Sequence, residues 1–274
     1  MPHENGPSFT TDSFHRGRFH LVQPAGRGHR AGLDAMLLAA TVPGGFDGRL
    51  ADLGAGGGAA GFAVAARCPK AQVILVERSA EMVDCARRSI ALKPNAAIAP
   101  RLRLLQADVE LCGRARVEAG LADNAFDFVI MNPPFNAPED RATPDALRRQ
   151  AHVMEGNLFE RWLRTASAIA RPRAELAVIA RPASLGEILQ ALSGRFGSPA
   201  VLPVHPRPGA DAIRILLKAT KGARGGLRLL HPLILHGSDG HAFTQEADDA
   251  INGRSALFSA AQGKTIAPAR RRPT

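Results

Sequence analysis

Phe126-Asp127-Phe128-Val129-Ile130-Met131 runs directly into Asn132-Pro133-Pro134-Phe135. The first six residues read as a buried strand, and the two prolines fix φ and end it. Upstream, a second apolar run ends in Asp52-Leu53-Gly54-Ala55-Gly56-Gly57-Gly58, a glycine-rich turn. Working outward by periodicity gives strand candidates at 49–53, 72–77, 101–107, 126–131, 174–180 and 213–219. Helices are predicted between them at about 58–67, 79–92, 148–170 and 184–195. Such βα alternation is the signature of a parallel sheet covered on both faces.

The flanks are read more coarsely. Residues 14–22 predict a short strand or hairpin and 29–41 a short helix. Ser79 is placed to N-cap the second helix, with Met82, Cys85 and Ala86 on one face. Residues 221–253 read as an antiparallel terminal hairpin. The tail 262–274, with Arg270-Arg271-Arg272, is predicted to be disordered. The implied organisation is an N-terminal extension at 1–48, one domain at 49–253 and a basic, disordered tail at 254–274.

With 274 residues, 45% of them apolar, the chain can bury a sizeable core. No run approaches the roughly 20 apolar residues of a membrane span. The polar start Met1-Pro2-His3-Glu4-Asn5-Gly6 lacks the pattern of a secretory signal. A cytoplasmic protein without membrane association is therefore expected, with a monomer as the working assumption. Cys68, Cys85 and Cys112 show no CxxC spacing, which argues against a disulfide framework or a zinc knuckle, so no metal is expected. The net charge of +10 lies wholly beyond residue 140: 15 basic and 15 acidic residues precede that point, and 20 and 10 follow it. A basic second half suggests a face toward a polyanion such as RNA or DNA. An Arg-favouring compositional bias is the bland alternative, and the absence of Tyr is consistent with such a bias.

A glycine-rich turn between strand and helix lets the backbone approach a ligand closely. Gly54, Gly56 and Gly58 follow Asp52 in the spacing D-x-G-x-G-x-G, and all four are candidate cofactor contacts. Glu77, ending the next strand, can accept both ribose hydroxyls of a nucleoside. Asp108, after the third strand, is placed to accept from an adenine amino group. Gly56 to Gly61 also satisfies GxGxxG, the dinucleotide fingerprint, which is weak evidence by itself. S-adenosylmethionine (SAM) carries a sulfonium and an ammonium but no pyrophosphate. Asp52 suits those cations and would repel a pyrophosphate, so SAM is the expected cofactor.

An exocyclic amine on adenine is a poor nucleophile because its lone pair is delocalised into the ring. The side-chain carbonyl of Asn132 and the main-chain carbonyl of Pro133 can accept its two N–H groups and aim the lone pair. Pro134 removes a competing N–H donor. Phe135 can stack on a flipped-out base. Methyl transfer would then need mainly positioning and electrostatics, with no strong general base.

With these residues in hand, the chain resembles the bacterial tRNA (adenine-N6)-methyltransferase family that modifies valine tRNA beside the anticodon. The resemblance spans about residues 14–253. Beyond the two motifs it includes Gly32-Leu33-Asp34-Ala35-Met36-Leu37-Leu38, the stretch 212–219 followed by Lys221-Gly222, and Pro232-Leu233-Ile234-Leu235-His236. It implies an α/β, Rossmann-like class I methyltransferase fold: a mostly parallel seven-stranded sheet, helices on both faces and an antiparallel C-terminal hairpin. It also implies SAM binding by Asp52, Gly54, Gly56, Glu77 and Asp108, and base binding by Asn132, Pro133 and Phe135. Asp34 either approaches the donor or caps its own helix. The family's aromatic is commonly Tyr, and Phe also occurs in related guanine-N2 ribosomal RNA methyltransferases. Four rivals follow: guanine-N2 methylation of RNA, glutamine methylation as in release-factor methyltransferases, adenine methylation of DNA (for which no separate target-recognition domain is seen), and a binding module that keeps SAM geometry without catalysis.

Overall fold

The computed structural model describes residues 9–25, 32–134 and 158–258. Its element order is β1 (Phe9–Phe14), β2 (Phe19–Pro24), α1 (Leu33–Ala40), β3 (Arg49–Leu53), α2 (Ala59–Arg67), β4 (Gln72–Glu77), α3 (Ala80–Ala91), β5 (Leu102–Gln106), α4 (Gly113–Glu118) and β6 (Phe126–Met131). There follow α5 (Leu158–Ile169), β7 (Ala170–Ala180), α6 (Leu185–Leu192), β8 (Phe196–His205), β9 (Arg214–Lys221), β10 (Arg228–Leu229), β11 (Leu233–Ile234) and α7 (Gln245–Ile251).

The central sheet runs β10-β8-β9-β7-β6-β3-β4-β5, with β11 also on β8. Its seven long strands are the expected seven-stranded sheet. The pairs β3–β4, β4–β5, β3–β6 and β6–β7 are parallel, and β9 is antiparallel to both β7 and β8. Successive residues of β6 serve opposite faces. Phe128 and Ile130 join the core under α1 and α2, while Val129 and Met131 join the core under α5 and α6. Burial on both faces explains why these strands are continuous apolar runs rather than alternating ones. Fully buried side chains such as Phe62 and Leu75 each contribute about 1.5–3 kcal/mol of transfer free energy.

Most predicted elements appear within a few residues of their expected bounds. Ser79 does cap α3, its hydroxyl accepting from Met82 N at 3.4 Å. Phe196–His205 is a strand that the sequence reading passed over. It pairs with β9 to form the antiparallel C-terminal hairpin. The segment 221–253, expected to form that hairpin, instead lays two two-residue strands parallel to β8 and ends in α7. Segments of two residues pair where β8 offers an unoccupied edge, and they carry no periodicity to read.

The N-terminal extension is built into the domain. β1 and β2 pair from Phe9↔Pro24 to Phe14↔Phe19. Val22 N donates to Ser89 Oγ of α3 at 2.8 Å, and Asn95 bonds both backbone polar groups of His20. Packing also passes the expected boundary at 253, because Leu257 is buried and its N–H donates to Ala40 O at 2.8 Å. Phe135, residues 148–157 of the predicted helix and the tail beyond 258 lie outside the described residues.

Candidate active site

The chain lays β3, β4 and β5 in one direction across the sheet, then returns to place β6 on the other side of β3. Ligands of open α/β sheets bind outside the carboxyl ends of the strands at such a switch point. A cavity of about 740 Å³ opens there, within the usual range for a small-molecule site. Its lining draws on the turns after β3, β4, β5 and β6, and on β2, α1 and α5. Asp34, Asp52, Gly54, Gly56, Glu77, Asp108, Asn132, Pro133 and Pro134 all face it.

The glycine turn is held from two sides. Gly54 N and Ala55 N both donate to Val76 O at 2.9 Å. Gly54 sits at φ 70°, and a Cβ there would land within the ring of Trp162. Gly56 sits at φ 55°, and its N–H donates to Glu77 Oε2 at 2.9 Å. Glu77 Oε1 accepts from Ser79 N at 2.8 Å. The Glu77 carboxylate therefore braces the turn, and each oxygen keeps a lone pair for a ligand hydroxyl. Gly58 does not line the cavity. It begins α2 at φ 90°, where a Cβ would stand 2.9 Å from Leu75 Cδ1. Its left-handed backbone and its packing both favour glycine.

Asp52 is buried and its Oδ2 accepts from Gly61 N at 2.9 Å, tying β3 to α2. The third glycine of the dinucleotide-like pattern thus serves close helix–strand approach and this bond. Asp108 Oδ1 accepts from Glu110 N at 2.9 Å, and Oδ2 lies 3.5 Å from Arg78 Nη1. Asp34 does not cap α1: Gly32 holds the cap position without a side-chain bond, and Asp34 Oδ2 accepts from Arg214 Nε at 2.9 Å.

The lining carries five carboxylates, Asp34, Asp52, Glu77, Asp108 and Glu110, against the cations Arg78 and Arg214. Both arginines are in ion pairs with Asp108 and Asp34. An acidic lining suits a sulfonium and an ammonium and disfavours a pyrophosphate, so the donor set fits SAM. Asn132 Oδ1 is buried and, among the described residues, has no hydrogen-bond partner. Leaving a buried acceptor unpaired costs about 1–3 kcal/mol, a cost that a bound N–H donor would remove. Sequence reading missed Arg214, Trp162, Arg78, Glu110, Met82 and Gln23 as lining residues. Arg78 and Glu110 neighbour acidic positions it had found; the others carry no local signal.

Burial pushes the Asp52 carboxyl up to about 7; the Glu77 charge adds to this and the Gly61 N–H opposes it. The folded protein then holds this proton below about pH 7, where the unfolded chain has already lost it down to pH 3.8. Acidification through that window favours the folded state at this position. A cation bound in the cavity would favour the ionised form, and SAM binding would then release the proton. SAM affinity measured by calorimetry should rise with pH up to about 7, by up to about tenfold per unit, and flatten above it. Asp52→Asn, which keeps an acceptor for Gly61, should abolish the slope. A flat profile in the unmutated protein would uncouple Asp52 from the cation.

The fold and the site together define a SAM-dependent methyltransferase. A family model described as "Methyltransferase small domain" matches residues 30–182, and the chain belongs to that family. It is 29% identical over 211 residues to a protein of Porphyromonas gingivalis named tRNA1(Val) (adenine(37)-N6)-methyltransferase, covering 75% of this chain and 80% of that one. It is 31% identical over 185 residues to a release factor glutamine methyltransferase of Bordetella pertussis, covering 67% of this chain and 55% of that one. A solved structure from Agrobacterium tumefaciens, named a predicted O-methyltransferase, is 49% identical with a TM-score of 0.72 over 82% of this chain and 98% of that one. Among the described residues no helix is long and apolar enough to cross a membrane.

Proposed function

We propose that the protein methylates the exocyclic N6 amine of an adenine in tRNA, in the anticodon loop of a valine tRNA. The observation that carries this reading is Asn132 Oδ1, buried in the cavity without a partner among the described residues and followed by the buried Pro133. An NH₂ group offers two donors to the two carbonyl oxygens of Asn132 and Pro133, whereas a hydroxyl offers one. Bound SAM supplies an electrophilic methyl group. The chain's own contribution is to hold the amine by its N–H groups so that its lone pair faces the cavity. Proximity and orientation of this kind are worth several kcal/mol. Phe135 would stack on the base. The Porphyromonas relative's name supports tRNA as the substrate class, and the basic second half supports a polyanionic partner. This reading places the protein in the cytoplasm.

A second reading, methylation of a protein glutamine, draws on the Bordetella relative, since a side-chain amide presents the same NH₂. The deciding experiment is labelled-methyl transfer from SAM to unmodified total tRNA, ribosomal RNA and cell protein, followed by nucleoside mass spectrometry. N6-methyladenosine confined to tRNA is the expected result. N2-methylguanosine in ribosomal RNA, label in protein, or an O-methylated product would each overturn the acceptor while leaving the donor site intact.

A further inference from the structure

The acids Glu77 and Asp108 and the Asp34–Arg214 pair stand on opposite sides of β3 in the strand order. Glu77 and Asp108 follow β4 and β5, on one side of β3. Arg214 begins β9, beyond β6 and β7 on the other side, and Asp34 comes from α1 above it. The glycine turn after β3 and Asn132 after β6 lie between the two. A donor whose ribose and adenine are held by Glu77 and Asp108 must extend its amino-acid portion the other way, toward Asp34.

We infer that Arg214 is a positioning residue for the amino-acid end of SAM, acting through Asp34. Arg214 Nε donates to Asp34 Oδ2 at 2.9 Å, while Nη1 donates to the Ile213 carbonyl at 2.8 Å. The guanidinium is thus anchored to the backbone just before β9 and presents a fixed donor to the carboxylate. Both side chains are largely shielded, at 29% and 24% exposure. A charge-assisted bond with this shielding holds its geometry better than a solvated pair. Among the described residues no hydrogen bond engages the second oxygen of Asp34, Oδ1, which is left for the α-ammonium group of the donor. The pair joins residues 180 apart in sequence, so it also fixes α1 as a wall of the cavity. No adenosine-binding residue is involved.

The location makes the role separable from general damage. S-adenosylhomocysteine and 5′-methylthioadenosine share the adenosine and a neutral sulfur, and differ in the amino-acid portion alone. Arg214→Gln should weaken S-adenosylhomocysteine binding on the order of tenfold by calorimetry, while methylthioadenosine affinity changes less than about twofold. Arg214→Lys should recover part of the loss, because it restores the charge without the fork. Asp34→Asn combined with Arg214→Gln should be no worse than the poorer single variant. Equal weakening of both ligands would show a merely structural role, and no weakening of either would remove the assignment. None of these readouts involves an acceptor, so they stand or fall apart from the tRNA reading.

Discussion

Asn132→Ala is expected to leave SAM affinity within about twofold while turnover falls on the order of a hundredfold to a thousandfold. The reason is where the Asn132 oxygen stands. It is a buried acceptor without a partner among the described residues, just after β6, in a cavity whose donor-side bonds are made by other residues. Removing it should therefore cost little in the free protein, and the folded state is relieved of an unpaired polar atom. The loss falls on the acceptor amine, which is then held by one carbonyl instead of two. Calorimetry with SAM and single-turnover methyl transfer measure the two effects separately. Unchanged turnover, with a normal melting temperature, would remove Asn132 from the chemistry.

Gly54→Ala should damage the donor site more than any other single methyl group added to the turn. Gly54 adopts φ 70°, and its missing Cβ leaves room for Trp162, whose Cζ3 would stand 2.9 Å from that atom. Trp162 is 7% exposed and belongs to the buried cluster that includes Leu53, Met131 and Leu163, so its ring cannot swing aside freely. The left-handed backbone and the overlap together should cost roughly 2–5 kcal/mol. For a domain of this size that lowers the melting temperature by roughly 4–20 °C. SAM affinity should fall at least tenfold, because Gly54 and Gly56 shape one turn. Combining Gly54→Ala with Trp162→Leu should give a protein more stable than the sum of the two single effects predicts. Strict additivity would mean that the ring is not what the methyl group meets.

The parts of this molecule that were legible in the sequence are those written locally. Strands buried on both faces are continuous apolar runs, and β3, β4 and β6 were read to within a residue. The turn after β3 was legible because glycines at positive φ leave a composition signal. Strand β8 was not, because Gly197, Ser198 and Pro203 break its run. The structure accommodates each of them. Ser198 sits in a bulge between Gly197 and Ala200, exchanging bonds with Gly225. Pro203 falls between the residues paired to β10 and those paired to β11. Asp34 was singled out but its partner was not, since nothing near residue 34 points to residue 214. Likewise Gly58 was read as a ligand contact from its spacing, a spacing that its left-handed φ and its packing on Leu75 and Phe62 would also produce.

Trp162 is the chain's single tryptophan, Tyr is absent altogether, and the indole lies against the glycine turn. Ultraviolet emission from this protein therefore has essentially one source, seated in the wall of the donor cavity. A shift or quench of that light on adding SAM would report occupancy without any label. A thermal melt followed by the same light records the loss of the site, while circular dichroism records the loss of the sheet. A gap between the two curves would mark the temperature range in which the cavity opens while the scaffold is still folded.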